Sequence, residues 1–355
     1  MTGKNLFKSH LYQMSTYQPP LEGRSVQQHL LLDFNERTLP VGREVEDALV
    51  DYIRSGALQK YPSYGDVVER IARHAGVDRA CLMITNGSDQ GIDLAIRSVC
   101  SAGDEAIIPV PSFAIYRQFA EVENASIIEP QYSREEGFPT SDVLRLISSK
   151  TRLVVIPNPN NPTGTAVPRE DVLRILEAAA DALVLVDECY FEYLGETLVD
   201  LVEQYPNLLV TRTFSKTWGL SSLRMGFIVS HPDNINQLLK VRGPYDINQL
   251  AVVATLAALE SPDYTHQYVD EVMQKCKPAL EAWCRGRKID FWPSRANFIW
   301  MFPPQPAELQ VFLQEQGILV RPKKDLSGKL GVRVNLGDLQ QTQRLIDCLN
   351  RFYDE

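Results

Sequence analysis

The sequence predicts an α/β fold: a large domain with a mostly parallel central sheet flanked by helices, followed by a small α+β C-terminal domain. Three observations carry this. Between about residue 65 and residue 230, short apolar runs alternate with segments of helical period. Runs such as Leu153-Val154-Val155-Ile156 and Leu183-Val184-Leu185-Val186 are apolar at every position, as strands buried on both faces are. Beyond residue 231 the chain turns helix-rich and then changes to short strands set between helices.

Taken in order, residues 1–30 are polar and irregular, and Tyr17-Gln18-Pro19-Pro20 favours an extended arm. Leu30 to Asn35 suits a short strand. Arg43 to Arg54 has Val45, Leu49, Tyr52 and Ile53 on one helical face, and Lys60 to Gly65 breaks it. Helices are expected over 66–74, in the segment after Asp89 (with Ile92, Ala95, Ile96 and Val99 inward), and over 113–121, 140–148 and 169–180. Strands are expected at 81–85, 106–109, 127–128, 153–156, 183–186, 208–211 and 226–229. Residues 234–241, 248–259 and 264–285 read as helices, the last long enough to link two domains. Strands at 298–301 and 332–334, with helices at 306–316 and 338–353, complete the chain. The expected division is an N-terminal arm over 1–30, a large domain over 31–262 and a small domain over 263–355.

With 355 residues, the chain can bury a sizeable core. Its 44% hydrophobic and 23% charged content are those of an ordinary globular protein. A formal charge of -9 argues against a general nucleic-acid binder but leaves room for a local basic pocket. No apolar run approaches the length of a membrane span, and the first residues lack the features of a signal peptide, so a cytoplasmic location is expected. The six cysteines include no Cys-x-x-Cys pair, and the five histidines are equally dispersed. Neither a metal site nor a disulfide framework is expected.

Ligands of open parallel sheets gather at the carboxyl ends of strands, and four such ends are chemically loaded. In Gly87-Ser88-Asp89 a strand gives way to a helix, where free amides can meet an anion; an ordinary helix cap has the same look. Asn158-Pro159-Asn160-Asn161-Pro162-Thr163-Gly164 is a rigid loop that can fix an asparagine amide, or a plain tight turn. Asp187-Glu188-Cys189-Tyr190 closes a buried strand with a carboxylate that needs a partner, either a protonated ring nitrogen or the next helix to cap. The fourth end, Thr213-Phe214-Ser215-Lys216 with Arg224 beyond, puts a lysine between two core strands. Desolvation lowers such an amine's pKa and frees it to form a Schiff base; two ordinary surface cations would read alike. Together these groups match one cofactor best, pyridoxal 5′-phosphate.

At this point the chain resembles the class I/II, fold-type-I aminotransferases, and is most similar among them to the histidinol-phosphate aminotransferase family. Asn160-Asn161-Pro162-Thr163-Gly164, Asp187-Glu188-Cys189-Tyr190 and Ser215-Lys216 followed by Gly219-Leu220 and Arg224 stand in that family's order. The resemblance implies that Lys216 bonds to the cofactor and carries protons, with Asp187 on the pyridine nitrogen. It implies Asn161 and Tyr190 at the ring oxygen, Phe113 stacked on the ring, and Gly87, Ser88, Ser215 and Arg224 at the phosphate, with Asp89 in the same turn. Tyr61 is implied to reach the phosphate of a neighbouring subunit, hence a homodimer. Arg333 is implied to clamp the substrate carboxylate, oriented by Asn297, and Arg321 and Tyr17 to build the substrate pocket.

Some positions differ from the family pattern. Asn35-Glu36-Arg37-Thr38 stands where Asn-Glu-Asn-Pro is usual, Cys189 and Ser221-Ser222 where small residues are usual, and Trp218 and Gln90 are departures too. Two enzymatic readings follow. One is amino transfer from an acidic or phosphorylated amino donor to 2-oxoglutarate. The other diverts the same chemistry to elimination, decarboxylation or cyclodehydration of a hydroxylated arginine-type amino acid. A non-enzymatic regulator is the third reading, and the intact Lys216, Asp187 and Arg224 speak against it.

Overall fold

The computed structural model describes residues 6–354. The first half of the chain folds into β1 (Leu30–Leu32), α1 (Arg43–Arg54), α2 (Gly65–Ala75), β2 (Leu82–Asn86), α3 (Gly87–Val99), β3 (Glu105–Ile107), α4 (Ile115–Val122), β4 (Ser126–Ile128), α5 (Thr140–Leu146) and β5 (Thr151–Pro157). There follow α6 (Arg169–Ala178), β6 (Leu183–Asp187), α7 (Phe191–Leu194), β7 (Leu208–Thr213), β8 (Met225–Ser230), α8 (Pro232–Val241) and α9 (Gln249–Glu260). The last third holds α10 (Asp263–Glu271), α11 (Lys277–Gly286), β9 (Asp290–Trp292), β10 (Phe298–Phe302), α12 (Pro306–Glu315), β11 (Ile318–Lys324), β12 (Leu330–Asn335) and α13 (Leu339–Asp354).

The larger sheet has seven strands in the order β2-β8-β7-β6-β5-β3-β4. All neighbours pair parallel except those of β8, which runs against both β2 and β7. The period of two in each strand divides its side chains between two cores. Val154, Ile156, Val184, Val186 and Val210 join one core with residues of α1, α2, α5, α6 and α9. Leu153, Val155, Leu185 and Leu209 join the other with residues of α3, α4 and α8. Burial on both faces is thus why these strands carry no polar alternation.

The smaller sheet has the order β1-β11-β12-β10-β9. Here one expectation is corrected. Leu31 and Leu32 were assigned to the large domain, but β1 pairs parallel with β11, Leu32 lying opposite Val320. Leu32 is buried in the core of the C-terminal unit, where its side chain has apolar partners that the edge of the large sheet does not offer. The expected helix over 264–285 is also interrupted. A π-helical turn, Val272–Cys276, joins α10 to α11 directly before Pro278. Proline offers no N–H and its ring crowds the carbonyl four residues back, so the turn widens there. Among the described residues no helix is long and apolar enough to cross a membrane.

Candidate active site

Register brings the loaded strand ends to one edge. Pro157 lies opposite Asp187, Asp187 opposite Thr211, Thr213 opposite Gly226, and Asn86 opposite Met225. Because β8 is reversed, its first residue lies at the edge where the parallel strands end, and Arg224, just before it, arrives there too. These ends and the small sheet enclose a cavity of about 680 Å³.

Asp187 is 3% exposed. Its Oδ2 accepts from the Tyr116 hydroxyl at 2.6 Å and its Oδ1 from the Thr211 hydroxyl at 2.9 Å. Burial pushes the carboxyl up to about 6, against the pull of those two hydrogen bonds. No cation among the described residues pairs with it, so a buried acid faces the cavity awaiting a positive group. Lys216 lines the same cavity, and its Nζ donates to the Phe34 carbonyl at 2.9 Å. Burial lowers its pKa, and the nearby Arg333 adds to this, while Cys189, Glu36 and Asp89 act the other way.

The turn at Gly87 is built for an anion. Gly87 has φ +71°, and a Cβ there would lie 2.4 Å from Arg224 Nη2. Arg224 itself holds a left-handed φ of 62°, unusual for a branched or long side chain. Its guanidinium donates to Ser215 Oγ at 3.3 Å and to Asp89 Oδ2 at 3.1 Å. With Ser88 at the start of α3, a helix N-terminus, two hydroxyls and a guanidinium converge. Gly226 supports the turn from below: a Cβ there would sit 2.6 Å from Gly87 C and Ser88 N. Gly226→Ala is therefore expected to destabilise the protein by about 2 kcal/mol or more, read as a lower midpoint in urea, since the obstructing atoms are backbone.

Arg333 is 5% exposed and donates to Asn161 Oδ1 and the Asp33 carbonyl, leaving Nε with no partner. Burial lowers its pKa to about 10. Asn297 was expected to orient it. Instead Asn297 donates to the Asn35 carbonyl and Asn335 Oδ1, and Asn161 holds the arginine. The Tyr190 hydroxyl accepts from Asn35 Nδ2 at 2.8 Å, and burial raises its pKa, so the phenol keeps its proton. Phe113 lines the cavity, edge-on to both Tyr17 and Tyr116. Arg321 reaches in over the Phe34 ring, whose centroid is also 4.5 Å from Arg24 Cζ. Tyr61, expected at the phosphate of a neighbouring subunit, lies outside this cavity: it is 79% exposed and packs against Tyr245, the ring centroids 4.5 Å apart. Two residues that the sequence reading missed, Tyr116 and Thr211, hold Asp187. Thr211 was findable as the cross-strand neighbour of Asp187; Tyr116 was hidden in an ordinary helical pattern.

The family model "Aminotransferase class I and II" matches residues 29–349. The chain belongs to the class I and II aminotransferases. These are pyridoxal-phosphate-dependent enzymes, and several relatives of this aminotransferase are named histidinol-phosphate aminotransferase. A histidinol-phosphate aminotransferase of Geobacillus sp. (strain WCH70) is 31% identical over 369 residues, covering 98% of each chain. One of Thermoanaerobacter sp. (strain X514) is 29% identical over 350 residues, again 98% of each. The fold of this aminotransferase is that of the Sinorhizobium meliloti histidinol-phosphate aminotransferase solved with pyridoxal-5′-phosphate: TM-score 0.87, 21% identity, 99% of this chain and 98% of the other.

Proposed function

We propose that this aminotransferase holds pyridoxal 5′-phosphate in the cavity and moves the amino group of a small anionic donor, an acidic or phosphorylated amino compound, to a 2-oxo acid in the cytoplasm. The residues present suit the cofactor on grounds of their own: Asp187 is a buried acid without a cation, and Gly87, Ser88, Ser215 and Arg224 form a cradle that a side chain at 87 would fill. The bound ring supplies one thing, a sink for electrons that loosens the Cα–H bond of the attached substrate. Asp187, oriented by Tyr116 and Thr211, would keep a proton on the ring nitrogen. Lys216, whose amine is more readily neutral for being buried, would take the proton from Cα and return it. Tyr190 would keep its phenolic proton for donation, and Phe113 and Tyr17 would shut water from one side.

The observation that carries the choice of donor is Arg333. It is a buried guanidinium satisfied only by neutral oxygens, with Nε unpaired, and a carboxylate or phosphate from the substrate would complete it. The exposed Tyr61–Tyr245 pair supports a second copy of the chain docking there, as in a homodimer with shared sites. The test mixes cofactor-loaded enzyme with candidate donors and no acceptor, following absorbance. Amino transfer leaves the cofactor carrying the amino group, so the starting spectrum is lost in proportion to the donor added. A spectrum that returns while the donor is consumed would favour elimination, decarboxylation or cyclisation instead.

A further inference from the structure

Three cations share one face of the small sheet. Arg321 on β11 lies directly opposite Arg333 on β12, and Lys323, two residues beyond Arg321, points the same way. All three line the cavity, whereas the adjacent Lys324 is exposed. Like charges set opposite one another destabilise a sheet. Burial depresses the Lys323 amine to about 8, with Arg333 and Arg321 adding to the effect. Among the described residues no carboxylate lies within ion-pair reach of any of the three. Two acids close in sequence to Phe34, Asp33 and Glu36, are both taken by Arg24. Counted with Arg24, the group holds four cations against the carboxylates of Asp33 and Glu36, two positive charges in excess within the group. Arg333 has a buried Nε that finds no partner among the described residues as well.

We propose that Lys323 is a specificity-determining residue that matches this end of the cavity to a substrate carrying two negative charges, a phosphate monoester or a pair of carboxylates, over one carrying a single charge. The inference rests on the cavity being an amino-donor site. Lys323 supplies the second unmatched charge, and a dianion spanning Arg333, Arg321 and Lys323 removes a repulsion the folded protein otherwise carries.

The test compares wild type, Lys323→Gln and Lys323→Arg with three donor classes: an amino compound bearing a phosphate monoester, a dicarboxylic amino acid and a monocarboxylic one. In Lys323→Gln the ratio of kcat/KM for the preferred dianionic class over the monoanionic class is expected to fall about 10- to 100-fold, the worth of a charge-assisted hydrogen bond, and Lys323→Arg restores most of it. The two dianionic arms tell phosphate from dicarboxylate. Inhibition by inorganic phosphate and by maleate is measured alongside, and one of them is expected to weaken in Lys323→Gln by a similar factor. An unchanged ratio with unchanged inhibition overturns the proposal, as does a glutamine variant that the arginine variant matches. If wild type turns over none of the donors yet an inorganic anion still binds in a Lys323-dependent way, the donor reading fails while the dianion site stands.

Discussion

Replacing Lys216 by alanine is expected to lower kcat for amino transfer by at least about 10⁴-fold. Two contributions are lost at once: the amine that bonds to the cofactor, and the base that moves the Cα proton, itself worth about 10² to 10⁴. The loss should not come from unfolding. Among the described residues Nζ hydrogen-bonds to the Phe34 carbonyl alone, and burial already disfavours the charged amine. The urea midpoint of Lys216→Ala should therefore equal or exceed that of wild type. A small primary amine added to the variant should restore part of the rate, because the proton carrier is then supplied from solution. A variant within tenfold of wild type would remove Lys216 from the mechanism.

Asp187→Asn is expected to act in opposite directions on activity and on stability. With cofactor bound, the loss of the carboxylate leaves a cationic ring nitrogen without its partner in a buried site. Breaking such a pair costs about 3–5 kcal/mol, so kcat/KM should fall on the order of 10²- to 10³-fold. Without cofactor the sign reverses. The folded carboxyl titrates at about 6 against an ordinary 3.8, so the folded state binds the proton more tightly than the unfolded state does. The stability associated with that proton is present below about pH 4 and is lost as pH rises through about 6. By pH 7.5 the ionised group costs on the order of 3 kcal/mol. Cofactor-free Asp187→Asn should thus be more resistant to urea than cofactor-free wild type at pH 7.5, and the gap should shrink to about a third at pH 4.5. A gap that is independent of pH would show that Asp187 is not a buried, unpaired acid.

Much of this site was legible in the sequence because its chemistry sits at strand ends. Apolar runs locate the strands, topology gathers their carboxyl ends, and Gly87, Asn161, Asp187 and Lys216 each stand at or just past one. From the residues alone Arg224 was legible as a cation near Lys216, and only the family resemblance put it at the phosphate; what places it at the same edge is the reversal of β8, and no local pattern announces that. Tyr116 holds Asp187 from a helix whose period is satisfied by an aromatic residue, so its hydroxyl left no trace in the pattern. The pairing of Leu32 with Val320 joins residues almost at opposite ends of the chain, and a three-residue strand carries no signal of its partner. The partners of Arg333 were misread for a related reason. Asn161 reaches it from the large sheet, a contact set by how the two sheets meet. The break before Pro278, by contrast, was there to be read from the proline alone.

The most direct test of the account is to incubate the purified protein with pyridoxal 5′-phosphate, reduce it with borohydride and map the modified peptide. The account predicts a coloured protein and a single stable adduct on Lys216, abolished in Lys216→Ala. Protein that stays colourless, or an adduct on any other lysine that survives in Lys216→Ala, would contradict it.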